Sequence, residues 1–310
     1  MAGTTSRSAK TAWVATRLAG RFSARLGGHY ASTLWFTPWE VPISAKGRAK
    51  QAGWLEQTTP TSFFVSGHEI KGFTAGTGPT VLLVHGWGEH GASLGGFIAP
   101  LVDAGYRVVG IDLPGHGATS RGRTDIFQLA DAVWGVANEL GGIRAVIAHS
   151  MGGYVTTIAL SQGLPVESVV LIAPAINVKK ALVKFGEMLS LPPRAVDGLR
   201  AYIQRHFGAD VWERLDGVEL ARTFDVPALI FHDTDDPQVD LEDSQALARA
   251  WSGARFKTTS GLGHSHILRD PDVLSATTRF LAEAANPFRP ELVPTADSEP
   301  ERERSSTTAA

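Results

Sequence analysis

The stretch that decides the fold is residues 145–153, Ala-Val-Ile-Ala-His-Ser-Met-Gly-Gly. An apolar run typical of a buried strand precedes Ser150, and a run compatible with a helix begins at Tyr154. A serine on a sharp turn from strand to helix is the layout of a nucleophile elbow. Because this turn strains the serine backbone, the residues two before and two after it must be small, and they are Ala148 and Gly152. Small-x-Ser-x-Gly alone is common by chance, so the flanking strand and helix carry the prediction.

The composition is that of an ordinary globular chain. Its 310 residues are 43% hydrophobic and 19% charged, enough for one large domain or two modest ones with a substantial core. A formal net charge of -2 gives no reason to expect nucleic acid as a partner. The absence of cysteine excludes disulfides, thiolate metal sites and a thiol nucleophile. No run is long enough to span a membrane, and arginines interrupt the apolar N-terminus, so no secretory signal is recognised and a cytoplasmic location is expected.

Short β-branched runs alternate with helical patterns between residues 61 and 285. Near-continuous apolar strands separated by helices are typical of a parallel sheet that is covered on both faces. We therefore predict an α/β fold with a mostly parallel, doubly wound sheet of about eight strands. The predicted strands are residues 62–66, 69–74, 80–84, 107–111, 145–147, 168–172, 228–231 and 255–259. The predicted helices between them are residues 94–104, 126–140, 153–162, 241–251 and 271–285.

Three segments lie outside this alternation. Residues 1–60 are predicted to form an N-terminal helical extension of the main domain, 61–285. The interval between the strands near residues 172 and 228 is too long for one crossover helix, and its patterns predict a small helical cap at about 175–223 over the strand ends. Residues 286–310 have almost no large apolar side chains and are predicted to be a disordered tail.

An apolar stripe marks the N-terminal extension. Its members recur every four residues, which places them on one helical face, and arginines at positions 17, 21 and 25 run beside them. The stripe consists of Val14, Leu18, Phe22 and Leu26. A basic amphipathic helix can lie on a membrane surface, but such stripes more often mark contact with the protein core. Packing on the main domain is therefore the favoured interpretation, and peripheral contact with a lipid surface is the alternative. Trp35, Phe36 and Trp39 are expected to pack between this helix and the main domain.

A serine nucleophile needs a base to take its proton and a third group to orient that base. In doubly wound hydrolase sheets these partners follow the serine in the order acid, then histidine. His264 follows Gly263 in a glycine-rich loop after the last predicted strand, from which it can reach across the strand ends. His264 is therefore the first choice for the base, and His266 is the second.

The orienting acid is expected in the turn after the strand at residues 228–231. Four aspartates compete there, at positions 233, 235, 236 and 240. Asp236 lies deepest in the turn, before the rigid Pro237, whereas Asp233 could instead satisfy backbone donors. The spacing lacks the ligand pattern of a calcium loop. We predict Asp236 as the acid and expect neither a metal nor a cofactor.

Acyl transfer also needs hydrogen-bond donors for the developing oxyanion. One is expected from the backbone N–H of Met151, directly after the nucleophile. The other is expected from Trp87, because the glycines of His85-Gly86-Trp87-Gly88 let the backbone approach closely. His85 is interpreted as a residue that shapes this loop. Glu89 and the following His90 are expected at the mouth of the pocket, mainly in solvent.

Four segments together resemble the α/β-hydrolase fold superfamily, in its esterase, lipase and haloperoxidase-like group. They are residues 85–88, residues 112–117 (Asp-Leu-Pro-Gly-His-Gly), residues 148–153, and Asp236-Pro237 with Gly263-His264. Ala148 stands where the family usually has glycine, and Asp236 falls at the family's acid position. The resemblance implies that residues 112–117 form a structural loop near the site. It does not extend to residues 1–60 or to the tail.

The resemblance and the residues together predict a serine hydrolase that cleaves carboxylic esters through a Ser150–His264–Asp236 triad and an acyl-enzyme. Its expected partner is a small-molecule ester or acyl substrate. Serine at the elbow argues against the family's haloalkane dehalogenases and epoxide hydrolases, which use a carboxylate. Thioester or carbon–carbon bond hydrolysis, acyl transfer, and ligand binding without catalysis remain alternatives, since fold and triad do not separate them. Phe185 and Met188 of the cap are candidate substrate-binding residues, with simple packing as the equal alternative.

Overall fold

A computed structural model describes residues 7–284, and the tail predicted at residues 286–310 lies outside this range. One eight-stranded sheet with helices around it forms the body, which confirms the predicted fold class. The strand order is β1-β2-β4-β3-β5-β6-β7-β8, and only the pairs β1–β2 and β2–β4 are antiparallel. The strands are β1 (Thr59–Val65), β2 (His68–Ala75), β3 (Thr80–Val84), β4 (Arg107–Ile111), β5 (Ile143–His149), β6 (Val166–Ile172), β7 (Ala228–Asp233) and β8 (Ala254–Thr259).

The central strands are buried on both faces. Along β3, Leu82 and Val84 belong to one hydrophobic cluster, and Val81 and Leu83 belong to a second cluster on the opposite face. This alternation is the two-residue period of a strand, and it explains why the sequence shows a continuous apolar run. The chain order reverses around β3, which lies between β4 and β5. In open α/β sheets, sites form at the carboxyl ends of strands beside such a reversal.

The helices of the body cover the two faces of the sheet. The predicted helix at 94–104 begins as a 3-10 helix, Gly91–Phe97, in which Gly95 and Gly96 weaken the α-helical preference. The side chain of Asp125 caps the helix that follows β4 by accepting the N–H groups of its first turn. The body helices are α4 (Ile98–Asp103), α5 (Ile126–Glu139), α6 (Met151–Ser161), α11 (Leu241–Ala250), α12 (Gly263–His266) and α13 (Pro271–Ala284).

Within residues 7–284, seven further helices lie outside the body. Three come before the sheet, and four lie between β6 and β7 and are called the cap here. The first group is α1 (Arg7–Phe22), α2 (Ala24–Trp35) and α3 (Ala45–Leu55), and the cap is α7 (Val178–Met188), α8 (Pro193–Phe207), α9 (Val211–Arg214) and α10 (Gly217–Ala221). Within residues 7–284, no helix is long and apolar enough to cross a membrane.

Helices α1 and α2 pack on the cap through small residues. A Cβ atom on Gly28 of α2 would collide with the backbone of Gly198 in α8, so the two helices touch backbone to backbone. In α1, a Cβ on Gly20 would lie 2.7 Å from the Cβ of Ala195 in α8. The indole N–H of Trp13 donates to the Leu189 carbonyl at 2.9 Å. The N-terminal helices are therefore attached to the cap.

The apolar stripe of the N-terminal helices does not pack on the protein. Val14, Leu18, Phe22 and Leu26 are between 46% and 84% exposed. The buried residues of α1 are instead small ones, namely Ala12, Thr16 and Gly20. The favoured interpretation of the stripe as a core contact is therefore wrong, because close helix contact selects the face with the smallest side chains. Phe36 is buried as expected, whereas Trp39 is partly exposed.

Candidate active site

Ser150 lies in the turn between β5 and α6, at the carboxyl edge of the sheet. Its backbone has φ 53° and ψ -122°, a conformation that side-chain-bearing residues rarely adopt. A Cβ on Gly152 would lie 2.5 Å from the carbonyl oxygens of Val84 and His85, so only glycine fits there. The methyl of Ala148 is fully buried in the core. Ala148 therefore fits at this position, where glycine is the usual residue.

His264 is the histidine that reaches Ser150. Its Nε2 lies 2.9 Å from the Ser150 Oγ, and its ring is buried on the short helix α12. His266, the second choice, is exposed on the same helix. Burial lowers the pKa of His264, and the hydrogen bond and charge of Asp236 oppose this without reversing it. His264 is therefore neutral near pH 7 and can accept a proton.

Asp236 is the aspartate that contacts this imidazole. Its Oδ2 lies 2.7 Å from His264 Nδ1, and its Oδ1 accepts the backbone N–H groups of Gln238 and Val239 at 2.7 and 3.1 Å. Burial would raise the pKa of Asp236, but these hydrogen bonds and the charge of His264 outweigh it and lower the pKa. An ionised Asp236 accepts a hydrogen bond from the Nδ1–H of His264, which leaves the Nε2 lone pair of His264 directed at the Ser150 hydroxyl.

The competing aspartates hold the loop that carries His264. Asp233 accepts hydrogen bonds from Thr259 Oγ1 at 2.7 Å, from the N–H of Leu262 at 3.1 Å and from the N–H of Gly263 at 2.9 Å. Asp235 accepts from the N–H of Gly261 at 2.7 Å. Their carboxylates therefore satisfy turn donors, as the alternative reading of Asp233 supposed.

The loop after β3 lies directly against the serine. A Cβ on Gly86 would be 3.1 Å from the Ser150 Cβ. Met151 is the first residue of α6, so its N–H has no helical acceptor. Among the residues that the structure describes, no hydrogen-bond acceptor engages the backbone N–H of Trp87 or Met151. Both predicted oxyanion donors are therefore free to bind a ligand oxygen.

His85 shapes this loop and does not contact the serine. Its Nδ1–H donates to the Gly86 carbonyl at 2.7 Å, and its Nε2 accepts the Leu113 N–H at 3.0 Å. Burial lowers the pKa of His85, so the ring is neutral. The contact with Leu113 also ties residues 85–88, called the oxyanion loop here after their predicted role, to the segment 112–117.

A buried ion pair that the sequence did not predict joins three loops of the site. Glu89 was expected in solvent, but its side chain is only 16% exposed. Its Oε2 accepts the Gly86 N–H at 3.0 Å and lies 3.2 Å from His149 Nδ1. The Nε2–H of His149 donates to the His264 carbonyl at 2.9 Å. The oxyanion loop, the elbow and the loop of the base are thus linked.

The pKa shifts of this pair both favour the charged form. Burial would raise the pKa of Glu89, but the charge and hydrogen bond of His149 and the Gly86 N–H lower it to about 2. Burial would lower the pKa of His149, but the charge and hydrogen bond of Glu89 raise it above its ordinary value. The position of His149 directly before the serine was the signal that could have drawn attention to it.

The two candidate substrate-binding residues have different environments. Phe185 is buried, with its ring 5.1 Å from that of Trp35 and 6.5 Å from that of Trp39. Trp39 in turn lies 6.3 Å from Trp87, so Phe185 is one aromatic ring away from the oxyanion loop. Met188 is exposed. Their role in substrate binding stays a prediction. No group of three or more potential metal ligands occurs within residues 7–284.

The chain is similar to known hydrolases in sequence and fold. It is 57% identical to a pimeloyl-[acyl-carrier protein] methyl ester esterase of Methylococcus capsulatus over 44 residues, 14% of this chain and 17% of that one. It is 39% identical to the magnesium-chelatase 30 kDa subunit of Rhodobacter capsulatus over 104 residues, 32% of this chain and 36% of that one. The matched regions therefore span 36% and 17% of the length of these two curated relatives.

The comparison of folds covers far more of the molecule. A thermophilic esterase from Thermogutta terrifontis superposes with a TM-score of 0.56 and 20% identity, over 73% of this chain and 99% of that one. This likeness is one of fold. Residues 81–277, more than half of the chain, match the alpha/beta hydrolase family. The chain therefore belongs to the alpha/beta hydrolase family.

Proposed function

We propose that the protein is a serine hydrolase that cleaves carboxylic esters. The observation that carries this proposal is the unbroken hydrogen-bonded chain from Ser150 Oγ through the His264 ring to the Asp236 carboxylate, at distances of 2.9 and 2.7 Å. A nucleophile, a neutral base and an ionised orienting acid in this arrangement are what acyl transfer needs. The strained backbone of the serine supports the same role.

The proposed reaction has two halves. His264 Nε2 takes the hydroxyl proton of Ser150 as Oγ attacks the ester carbonyl, and the N–H groups of Trp87 and Met151 bind the oxyanion. The tetrahedral intermediate collapses to the acyl-enzyme as His264 returns the proton to the leaving alkoxide oxygen. A water molecule then attacks the acyl carbon with the same base, which releases the acid and restores the serine. Asp236 stabilises the imidazolium in both halves.

An ester is the substrate class that the relatives favour. The stretch that is similar to the methyl ester esterase supports hydrolysis of a small-molecule ester, although it covers only part of that protein. Thioester or carbon–carbon bond hydrolysis, acyl transfer, and ligand binding without turnover would use the same pocket. Ligand binding without turnover is separated from ester hydrolysis by the experiment below.

The test combines labelling with turnover. A fluorophosphonate should label the protein at Ser150, and p-nitrophenyl esters should be hydrolysed. Ser150→Ala should abolish labelling and lower turnover by several orders of magnitude. Ser161→Ala, in the last turn of the same helix, is the matched control and should change neither. Labelling or near-native turnover in Ser150→Ala would disprove the nucleophile, and labelling without turnover of any ester would favour the ligand-binding alternative.

A further inference from the structure

We propose that the exposed stripe of α1 and α2 docks the protein on an anionic lipid surface. The stripe is the set of Val14, Leu18, Phe22 and Leu26. This proposal concerns where the protein sits, and it holds whether or not the protein cleaves esters.

The exposed apolar surface of the molecule is concentrated on the N-terminal helices and the cap. Of the large hydrophobic side chains that are exposed within residues 7–284, all but Phe64 and Trp134 belong to residues 14–41 or to α7. Single exposed apolar residues scattered over a surface need no explanation, but a concentration of them indicates an interaction site.

Helix α1 buries small residues and exposes large apolar ones, which is the reverse of the usual arrangement. A helix that only packs on its own protein buries its large apolar residues. Here Ala12, Thr16 and Gly20 are buried, while Leu18 and Phe22 stay in water. The contacts of Trp13 with Leu189 and of Gly28 with Gly198 hold the helices in this orientation. The stripe therefore faces outward on a scaffold that is already packed.

The charge around the stripe identifies the partner. The first 39 residues contain five Lys and Arg residues and no Asp or Glu, although the whole chain has a net charge of -2. Of these cations, none of Lys10, Arg17, Arg21 and Arg25 takes part in an ion pair within residues 7–284. Apolar side chains flanked by arginines that form no ion pair match the interface of an anionic bilayer. A second copy of the chain placed stripe to stripe would bring like charges together, which disfavours a dimer through this face.

The segment that follows α2 contacts the candidate site. The segment after α2 contains the partly exposed Trp39, whose ring lies 6.3 Å from that of Trp87. Two residues later, the N–H of Val41 donates to the Gly88 carbonyl at 3.0 Å. The N-terminal helices are therefore connected to the oxyanion loop through the segment that follows α2.

The charge part of the proposal is tested by sedimentation of the full chain with vesicles. The protein should bind vesicles of phosphatidylcholine mixed with phosphatidylglycerol, bind vesicles of phosphatidylcholine alone much more weakly, and be released by salt. Each arginine near an anionic surface strengthens binding about fivefold. The triple variant Arg17→Gln, Arg21→Gln, Arg25→Gln should therefore bind about a hundredfold more weakly.

The apolar part is tested with a matched pair of exposed phenylalanines. Phe22→Ser should weaken binding by about tenfold or more, since it removes a large apolar side chain from the interface. Phe64→Ser, at a residue that is 73% exposed on β1, should leave binding unchanged. Thermal unfolding serves as the folding control for both variants, so the result does not depend on catalysis.

A fluorescent label can report insertion directly. Because the chain has no cysteine, Phe22→Cys and Phe64→Cys can each carry one environment-sensitive fluorophore. A blue shift on anionic vesicles is expected at position 22 and not at position 64. The proposal is overturned if wild type ignores anionic vesicles, if both positions respond alike, or if Phe22→Ser only converts a dimer to a monomer.

Discussion

Replacing Glu89 by Gln should destabilise the protein by an amount that depends on pH in a defined way. Glu89 is a largely buried carboxylate paired with His149, and its pKa is about 2 instead of the usual 4.5. A difference of this size corresponds to about 3 kcal/mol of stabilisation of the ionised form in the folded state. Glu89→Gln keeps the shape of the side chain but leaves His149 without its counter-charge, which is costly in a buried site.

The pH window follows from the directions of the two pKa shifts. The pKa of Glu89 is lowered by folding, so its contribution is present above about pH 4.5 and is lost as the pH falls towards 2. The pKa of His149 is raised above 6.5 by folding, so its contribution is present below 6.5 and is lost as the pH rises through the folded value. The difference between wild type and Glu89→Gln should therefore be greatest between about pH 5 and 6.5 and smaller at alkaline pH.

Urea unfolding followed by tryptophan fluorescence measures this difference. At pH 6 the free energy of unfolding of Glu89→Gln should be about 3 kcal/mol below that of wild type. The control is Glu219→Gln, which breaks the exposed pair with Arg222 and should cost less than about 1 kcal/mol. If Glu89→Gln costs no more than Glu219→Gln, or if its cost is unchanged from pH 6 to alkaline pH, the assignment of a charged buried pair is refuted.

Three further outcomes are expected for the candidate site. Asp236→Asn should lower kcat on p-nitrophenyl acetate by about 10⁴-fold, whereas Asp233→Asn should mainly lower the melting temperature. A greater loss of activity in Asp233→Asn than in Asp236→Asn would contradict the assignment of the acid. Plotted against pH, kcat/KM should fall on the acid side with an apparent pKa below 6.5, because burial lowers the pKa of His264 and this residue must be neutral to act. An apparent pKa above 6.5 for the acid limb would contradict this expectation. Phe185→Ala should change the preferred acyl chain length more than the rate on acetate, and Met188→Ala, at an exposed position, should do so less. A uniform fall across chain lengths with lower stability would show that Phe185 is only core.

The fold and the central residues of the site were predictable because their signals are local. A buried strand, a strained turn flanked by small residues and a helix occupy consecutive positions around Ser150, and each can be recognised without knowing what it packs against. The loop around Asp236 was also predictable in position. The different contacts of Asp233 and Asp236 are visible only in the structure, in which Asp233 accepts N–H groups of the loop that carries His264.

The pairing of Glu89 with His149 was not predictable, because it joins residues that are 60 positions apart. Glutamate after a glycine-rich loop is ordinarily solvated, and only the fold brings this one beneath the oxyanion loop. The burial of Glu89 depends on two donors that no local sequence pattern predicts, the Gly86 N–H and the imidazolium of His149. A buried carboxylate is tolerable when both kinds of donor are present, and it is costly when either is missing.

The predicted orientation of the N-terminal helices was wrong for a different reason, and the sequence contained the signal that would have corrected it. Periodicity identifies the faces of a helix but does not say which face meets the protein. Glycine within a helix costs about 1 kcal/mol relative to alanine, so Gly20 in α1 and Gly28 in α2 need a compensating contact. The structure supplies it, because side chains there would collide with Ala195 and Gly198 of the cap. Small residues that are unfavourable for the helix itself therefore mark its packing face, and the large apolar residues, led by Phe22, lie on the exposed face.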